Sequence, residues 1–225
     1  MSGVADLSRL LDATEFLDYD SPEVREFVAR AVPDPEAPAR EKAVQLYYAV
    51  RDGVFYEVFG ADLSREGLRA SSVVRRNMGF CAHKSILYAA AVRSVGIPSR
   101  LVLAEVRNHL ASPRLKELVG GEVFLHWFTT IHLGGRWLKV TPVFNRMLCR
   151  LYRMRPLEFD GTSDSLYHPF DESGRRHMEF LRWHGEYDDV DYDLLIGKMR
   201  SLHPGMFREG TTVPAGSLVE QAPGH

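Results

Sequence analysis

A chain of 225 residues has room for one domain with an extension or for two small domains, and 45% hydrophobic with 26% charged residues is the balance of a folded globular protein, not a disordered one. Lys and Arg number 28 against 30 Asp and Glu, a formal net charge of −2 with no basic block, which excludes the electrostatic footprint of a nucleic-acid binder and gives no pull toward an anionic membrane surface. The longest strongly apolar stretch, 86–92, falls far short of the roughly 20 residues a membrane-spanning helix needs, and the first residues lack a basic-then-apolar leader pattern, so the cytoplasm is the expected location.

In chain order, Ser21 is an N-cap candidate for a short helix over 22–32 that Pro33 ends. Apolar positions at Ala43, Leu46, Tyr47 and Val50 give a second helix over 38–52, closed by Gly53. Residues 55–69 show no clean period and read as loop, with a strand fragment near 54–58; 71–78 reads as a helical turn. From Cys81 to Val95 small and apolar residues cover most of the helical circumference, which only a helix buried on several sides tolerates; Gly96 caps it and Pro98 forbids continuation.

A strand follows over 101–106. Residues 122–133 then alternate, with Val123, Leu125, Trp127, Thr129, Ile131 and Leu133 on one face and Phe124, His126, Phe128, Thr130 and His132 on the other. Gly134-Gly135 is a two-residue hairpin turn, and 136–144 is the returning strand. Further strands are expected at 156–159 and 177–184, a helix at 191–202, and a loose tail over 208–225. Helices first and strands after, joined by short turns, argue for an α+β domain over 1–207.

Two cysteines are too few for a disulfide scaffold. Cys149 reads as a small buried hydrophobe, but Cys81 stands at the start of the central helix, where unpaired N–H groups and the helix dipole favour thiolate. A thiolate nucleophile needs an imidazole partner, and His126, mid-strand between Phe124 and Phe128, is the candidate. The hairpin register sets His126 opposite Val143 and puts Thr141, opposite Phe128, and Asn145, opposite Phe124, diagonal to it; either can orient the ring. Asn77 is an oxyanion-donor candidate, set against the plainer reading of a helix-end residue. No metal site is expected: Cys81 and His83 do not share a helix face, and no second pair has ligand spacing. No cofactor is expected either.

The segment Gly79-Phe80-Cys81-Ala82-His83-Lys84-Ser85, then Arg93-Ser94-Val95-Gly96-Ile97-Pro98-Ser99-Arg100, then His126 and Gly135-Arg136-Trp137-Leu138-Lys139-Val140-Thr141-Pro142 resembles the transglutaminase-like superfamily of papain-type cysteine enzymes. The resemblance implies an α+β fold with a Cys at the start of a central helix packed on an antiparallel sheet that carries His and Asp. It also implies acyl transfer at amide or thioester bonds through a Cys thioester, as hydrolase (protease or amidase) or acyltransferase. The partner is then a peptide, a protein side-chain amide or an acyl substrate. Where that family has an Asp in a Val-Asp-Pro strand, this chain has Val140-Thr141-Pro142. Thr141 accepts a hydrogen bond but supplies no charge, whereas a neutral Asn, as at Asn145, orients the ring in papain-like enzymes. The missing anion motivates the competing expectation, a weakened fold that binds protein or peptide.

Overall fold

The computed structural model describes residues 7–108, 111–166 and 178–222. After a short 3-10 turn at Leu7–Leu11 come helices α1 (Pro22–Ala31) and α2 (Ala39–Gly53). The Ser21 hydroxyl accepts the Val24 N–H and Pro22 opens α1, as the sequence predicts. Strand β1 (Phe55–Tyr56) pairs in parallel with β2 (Met78–Gly79), and α3 (Ala70–Arg76) lies between them in sequence.

Helix α4 (Cys81–Ser94) is the centre of the molecule: every residue from Cys81 to Arg93 is buried. Its polar members are therefore each tied to backbone. Lys84 Nζ donates to the carbonyls of Arg51 and Val54 at the end of α2, Ser85 Oγ donates to Trp127 O, and Tyr88 donates to Ala43 O. Burial drives the Lys84 ammonium well below the ordinary lysine range. Gly96, at φ 80°, ends the helix where its sequence position predicts.

The sheet has four strands, β3 (Ser99–Asn108), β4 (Val123–Leu133), β5 (Arg136–Val140) and β6 (Met178–Tyr187), in the order β5-β4-β3-β6 and antiparallel throughout. Gly134 and Gly135 both have positive φ, the geometry a tight hairpin turn requires, and Leu133 sits opposite Arg136 as expected. The ladder stops at Thr129 opposite Val140, so 141–144 do not continue β5. Pro142 has no N–H to give, and the Val143 N–H folds back onto Thr141 O. Consequently residues 123–128 of β4 run past the end of β5 and leave one edge of β4 unpaired. The largest apolar core lies on the α4 side of the sheet; a smaller cluster of Val102, Ala104 and Phe128, with Leu166 and Phe180 against it, covers the other side.

Four expectations change. Residues 156–159 form no strand, because their carbonyls are taken by side chains of α2: Tyr47 and Arg51 donate to Leu157 O, and Tyr48 to Phe159 O. Helices α5 (Pro113–Val119) and α6 (Arg146–Leu151) add to the predicted set, and α7 (Tyr192–Leu202) matches it. The tail is packed, not loose: Val213, Leu218 and Ala222 are buried, and Leu218 is held by its N–H to Glu57 and its carbonyl to Tyr152. Residue 177, the expected start of the last strand, and 223–225 lie outside the described residues, as do His109, His168 and His177. Among the described residues no helix is long and apolar enough to cross a membrane.

Candidate active site

Cys81 is the first residue of α4, with extended Phe80 as the cap before it. The helix start abuts the unpaired edge of β4, and Cys81 Sγ donates to Leu125 O at 3.8 Å. Its own N–H and those of Ala82 and Trp127 are directed so as to favour thiolate. Burial outweighs them: the thiol is 4% exposed and is pushed up to about 11. Cys149 Sγ donates to Phe144 O, and burial pushes that thiol up to about 12.

The placement of the imidazole departs from the sequence expectation. On β4 the side chains alternate, and Thr129 Oγ1 donates to Ser85 O of α4, so Leu125, Trp127 and Thr129 belong to the α4 face. His126 belongs to the other. Its ring stacks on Phe128 at 6.2 Å and meets Phe180 of β6 edge-on at 6.4 Å. Among the described residues no hydrogen bond joins Cys81 to His126, although the thiol meets the Leu125 carbonyl and the Trp127 N–H, the two backbone groups that flank His126 on the β4 edge. Burial alone lowers His126 to about 4, so the ring is neutral near pH 7, and its Nε2 has no partner among the described residues.

Neither expected orienting residue serves His126. Thr141 Oγ1 is buried with no partner among the described residues. Asn145 Oδ1 accepts the Tyr56 N–H, and Asn145 begins α6, so it fastens β1 to α6. Asn77 is not an oxyanion donor. It is the left-handed C-cap of α3, at φ 51°, exposed at a recess with Phe27 and Arg30, which is the helix-end role.

Two residues that the sequence does not single out complete the surroundings of Cys81. His203, just past the C-terminus of α7, accepts the Leu125 N–H on Nε2 at 3.0 Å and gives its Nδ1 proton to Val119 O at 2.8 Å. Both nitrogens are spent on backbone, and burial holds the ring below the ordinary histidine range, so it fastens the β4 edge and is no general base. The Tyr56 phenol lies close enough to Cys81 for charge on one to disfavour charge on the other. A terminal His after a helix with apolar period is the one signal that pointed to His203.

Cys81 and His126 do line one cavity, which wraps around the unpaired edge of β4. Its wall is mostly Met, Leu, Phe and Val, and among the described residues it includes no Asp, Glu, Lys or Arg. Among the described residues there is no cluster of three or more His, Cys, Asp or Glu fit to hold a metal ion.

The sequence profile of the transglutaminase-like superfamily matches residues 25–142, from α1 to the end of the β4–β5 hairpin. The chain belongs to the transglutaminase-like superfamily. Solved structures to which the chain is similar include a candidate cysteine protease of Cytophaga hutchinsonii, with 15% identity and a TM-score of 0.47 over 63% of this chain. A candidate protease of Parabacteroides distasonis has 14% identity and a TM-score of 0.38 over 60% of this chain. The chain spans 43% of the first protein's length and 26% of the second's. No curated protein matches it. As a member of this superfamily the chain keeps the Cys at the head of the buried helix and the hairpin beside it, while the Cys81 thiol meets the Leu125 carbonyl and Thr141 stands where the Asp is expected.

Proposed function

We propose that this domain uses the cavity beside Cys81 to bind an apolar group of a peptide, protein or small molecule without covalent turnover. One observation carries the reading: the His126 ring packs on Phe128 and Phe180, while the Cys81 thiol gives its proton to the Leu125 carbonyl and makes no hydrogen bond to that ring. A thiol at about 11 with no hydrogen-bonded base is roughly one part in ten thousand thiolate at pH 7, too little for efficient nucleophilic catalysis. The apolar wall favours retention of an apolar ligand.

A second reading, a cysteine hydrolase or acyltransferase, draws on the fact that Cys81 and His126 line the same cavity. In it His126 takes the Cys81 proton as the sulfur adds to an amide or thioester carbonyl, the N–H groups of Cys81, Ala82 and Trp127 receive the oxyanion, His126 returns the proton to the leaving amine or thiol, and water or a second acceptor then releases the acyl group from Cys81. That sequence requires the His126 ring to leave Phe128 and pass around the β4 edge.

Iodoacetamide separates the two. Under the binding reading Cys81 and Cys149 both alkylate slowly at pH 7.5, and His126→Ala leaves the Cys81 rate unchanged. Rapid alkylation of Cys81 that slows in His126→Ala establishes the enzyme instead.

A further inference from the structure

The tail is fastened in two different ways. Up to Pro214 its backbone is tied to the loop after β1: the Leu63 N–H donates to Thr211 O, the Val213 N–H to Ala61 O, and the Gly60 N–H to the carbonyls of Val213 and Pro214. Beyond Pro214, among the described residues, backbone-to-backbone hydrogen bonds stay within the segment, from Gln221 to Leu218 and from Ala222 to Val219. Side chains hold it to the rest of the molecule. Arg114 Nη2 donates to Ala215 O and Ser112 Oγ to Gln221, while the Leu218 N–H donates to Glu57 Oε2 at 2.9 Å and the Tyr152 hydroxyl to Leu218 O at 2.8 Å. Ala215, Gly216, Val219 and Glu220 are exposed, whereas Leu218 between them is buried and lines the cavity with Cys81. A single layer of chain therefore parts this side of the cavity from solvent. A segment held by a few side-chain hydrogen bonds and one inward apolar residue is the kind that opens locally, before the elements beneath it.

We infer that residues 215–222 are a strap that gates the cavity: it swings on Pro214, Leu218 is its plug, and the Glu57 carboxylate and the Tyr152 hydroxyl are the latches that hold it shut. As control of ligand entry the inference rests on the reading of the cavity as a binding site. Glu57 is a fixed latch, because its other oxygen accepts the N–H groups of Val58 and Phe59. Gly216 lets the strap lie close. A Cβ at that position stands 2.7 Å from Phe59 Cδ1, so a side chain there lifts the strap off a buried ring that is not part of the cavity wall.

Hydrogen exchange and thiol alkylation of the full chain test this together. In the wild type the Leu218 amide is expected to be at least about tenfold less protected than the Val213 amide, which is bonded to Ala61 O, and to exchange with little dependence on low urea, the mark of a local opening. Iodoacetamide at pH 8.5 should alkylate Cys81 about fivefold faster in Tyr152→Phe, the size of one neutral hydrogen bond, and at least about tenfold faster in Gly216→Ala, with the Cys149 rate unchanged in both. The exchange comparison needs no variant and decides the matter if Gly216→Ala fails to fold. Equal protection of Leu218 and Val213, a Cys81 rate indifferent to both substitutions, or a parallel rise at Cys149 overturns the strap. Toluene, followed on the methyl group of Met199 in the cavity wall, separates this inference from the reading beneath it. Faster entry into Tyr152→Phe than into the wild type supports the gate, and equal entry into both overturns the gate alone. Exclusion of toluene from wild type and variants overturns the binding reading, and with it the strap's control of ligand entry.

Discussion

The two faces of β4 are built from neighbouring residues yet treat polar groups differently. On the α4 face, Thr129 Oγ1 gives its proton to Ser85 O, and along the edge Ser85 reaches Trp127 O, Cys81 reaches Leu125 O and His203 receives the Leu125 N–H. On the opposite face His126 Nε2 and Thr130 Oγ1 are buried with no partner among the described residues, beside the small Phe128 cluster. Trp127 Nε1 is the exception on the α4 side. The lesson is that alternate residues of one strand meet opposite fates, hydrogen-bonded on the face that packs on α4 and unpaired on the other.

The largest effect that can break this comparison is acid sensitivity. His126 and His83 are both buried and lowered from 6.5 to about 4, so the folded state holds them neutral while unfolded chains protonate. Their contribution is whole above pH 6.5 and is lost as pH falls from 6.5 toward 4, about 2–3 kcal/mol for each by pH 4.5. Urea unfolding of wild type and His126→Leu at pH 7.5 and 4.5 checks this: the variant loses less on acidification by one such share. An equal loss in both places His126 in contact with water.

Next is Leu125→His, which moves an imidazole onto the α4 face beside Cys81. Iodoacetamide at pH 7.5 should then alkylate Cys81 at least about tenfold faster than in the wild type, as a nearby base draws the thiol down from about 11. No acceleration in a folded variant means that Leu125 does not face the thiol.

A matched pair sharpens the contrast at smaller scale. Thr129→Val removes a donor from Ser85 O and should cost about 1 kcal/mol in thermal or urea unfolding, whereas Thr130→Val, one residue away, discards an unpaired hydroxyl and should be neutral or stabilising by up to about 1 kcal/mol. If the two cost the same, the faces do not differ in the way described.

Much of the frame was legible in the residues. Cys81 at the head of a helix buried all round, Gly96 at its end, and the Gly134-Gly135 turn with its register follow from periodicity and from the conformations that glycine allows. The face that α4 covers was not legible, because both faces of β4 carry large apolar residues and alternation divides them without saying which one meets the helix. Asn145 was misplaced because Pro142 ended the ladder before it, and the orienting role assigned to it went to a backbone tie with Tyr56. Helix α5 carried its signals in plain sight, Ser112 as N-cap, Pro113 after it and Gly120 at the end, and they were too short to register as a period. The packed tail rests on Val213, Leu218 and Ala222, isolated apolar residues whose burial depends on surfaces far away in the chain.

The central claim is the position of one imidazole relative to one thiol, and nuclear Overhauser effects from the His126 ring protons test it most directly. The account predicts cross-peaks from that ring to the aromatic protons of Phe128 and Phe180 and none to the Cys81 β-protons. Strong cross-peaks between the His126 ring and the Cys81 β-protons, with the Phe180 contacts missing, contradict it.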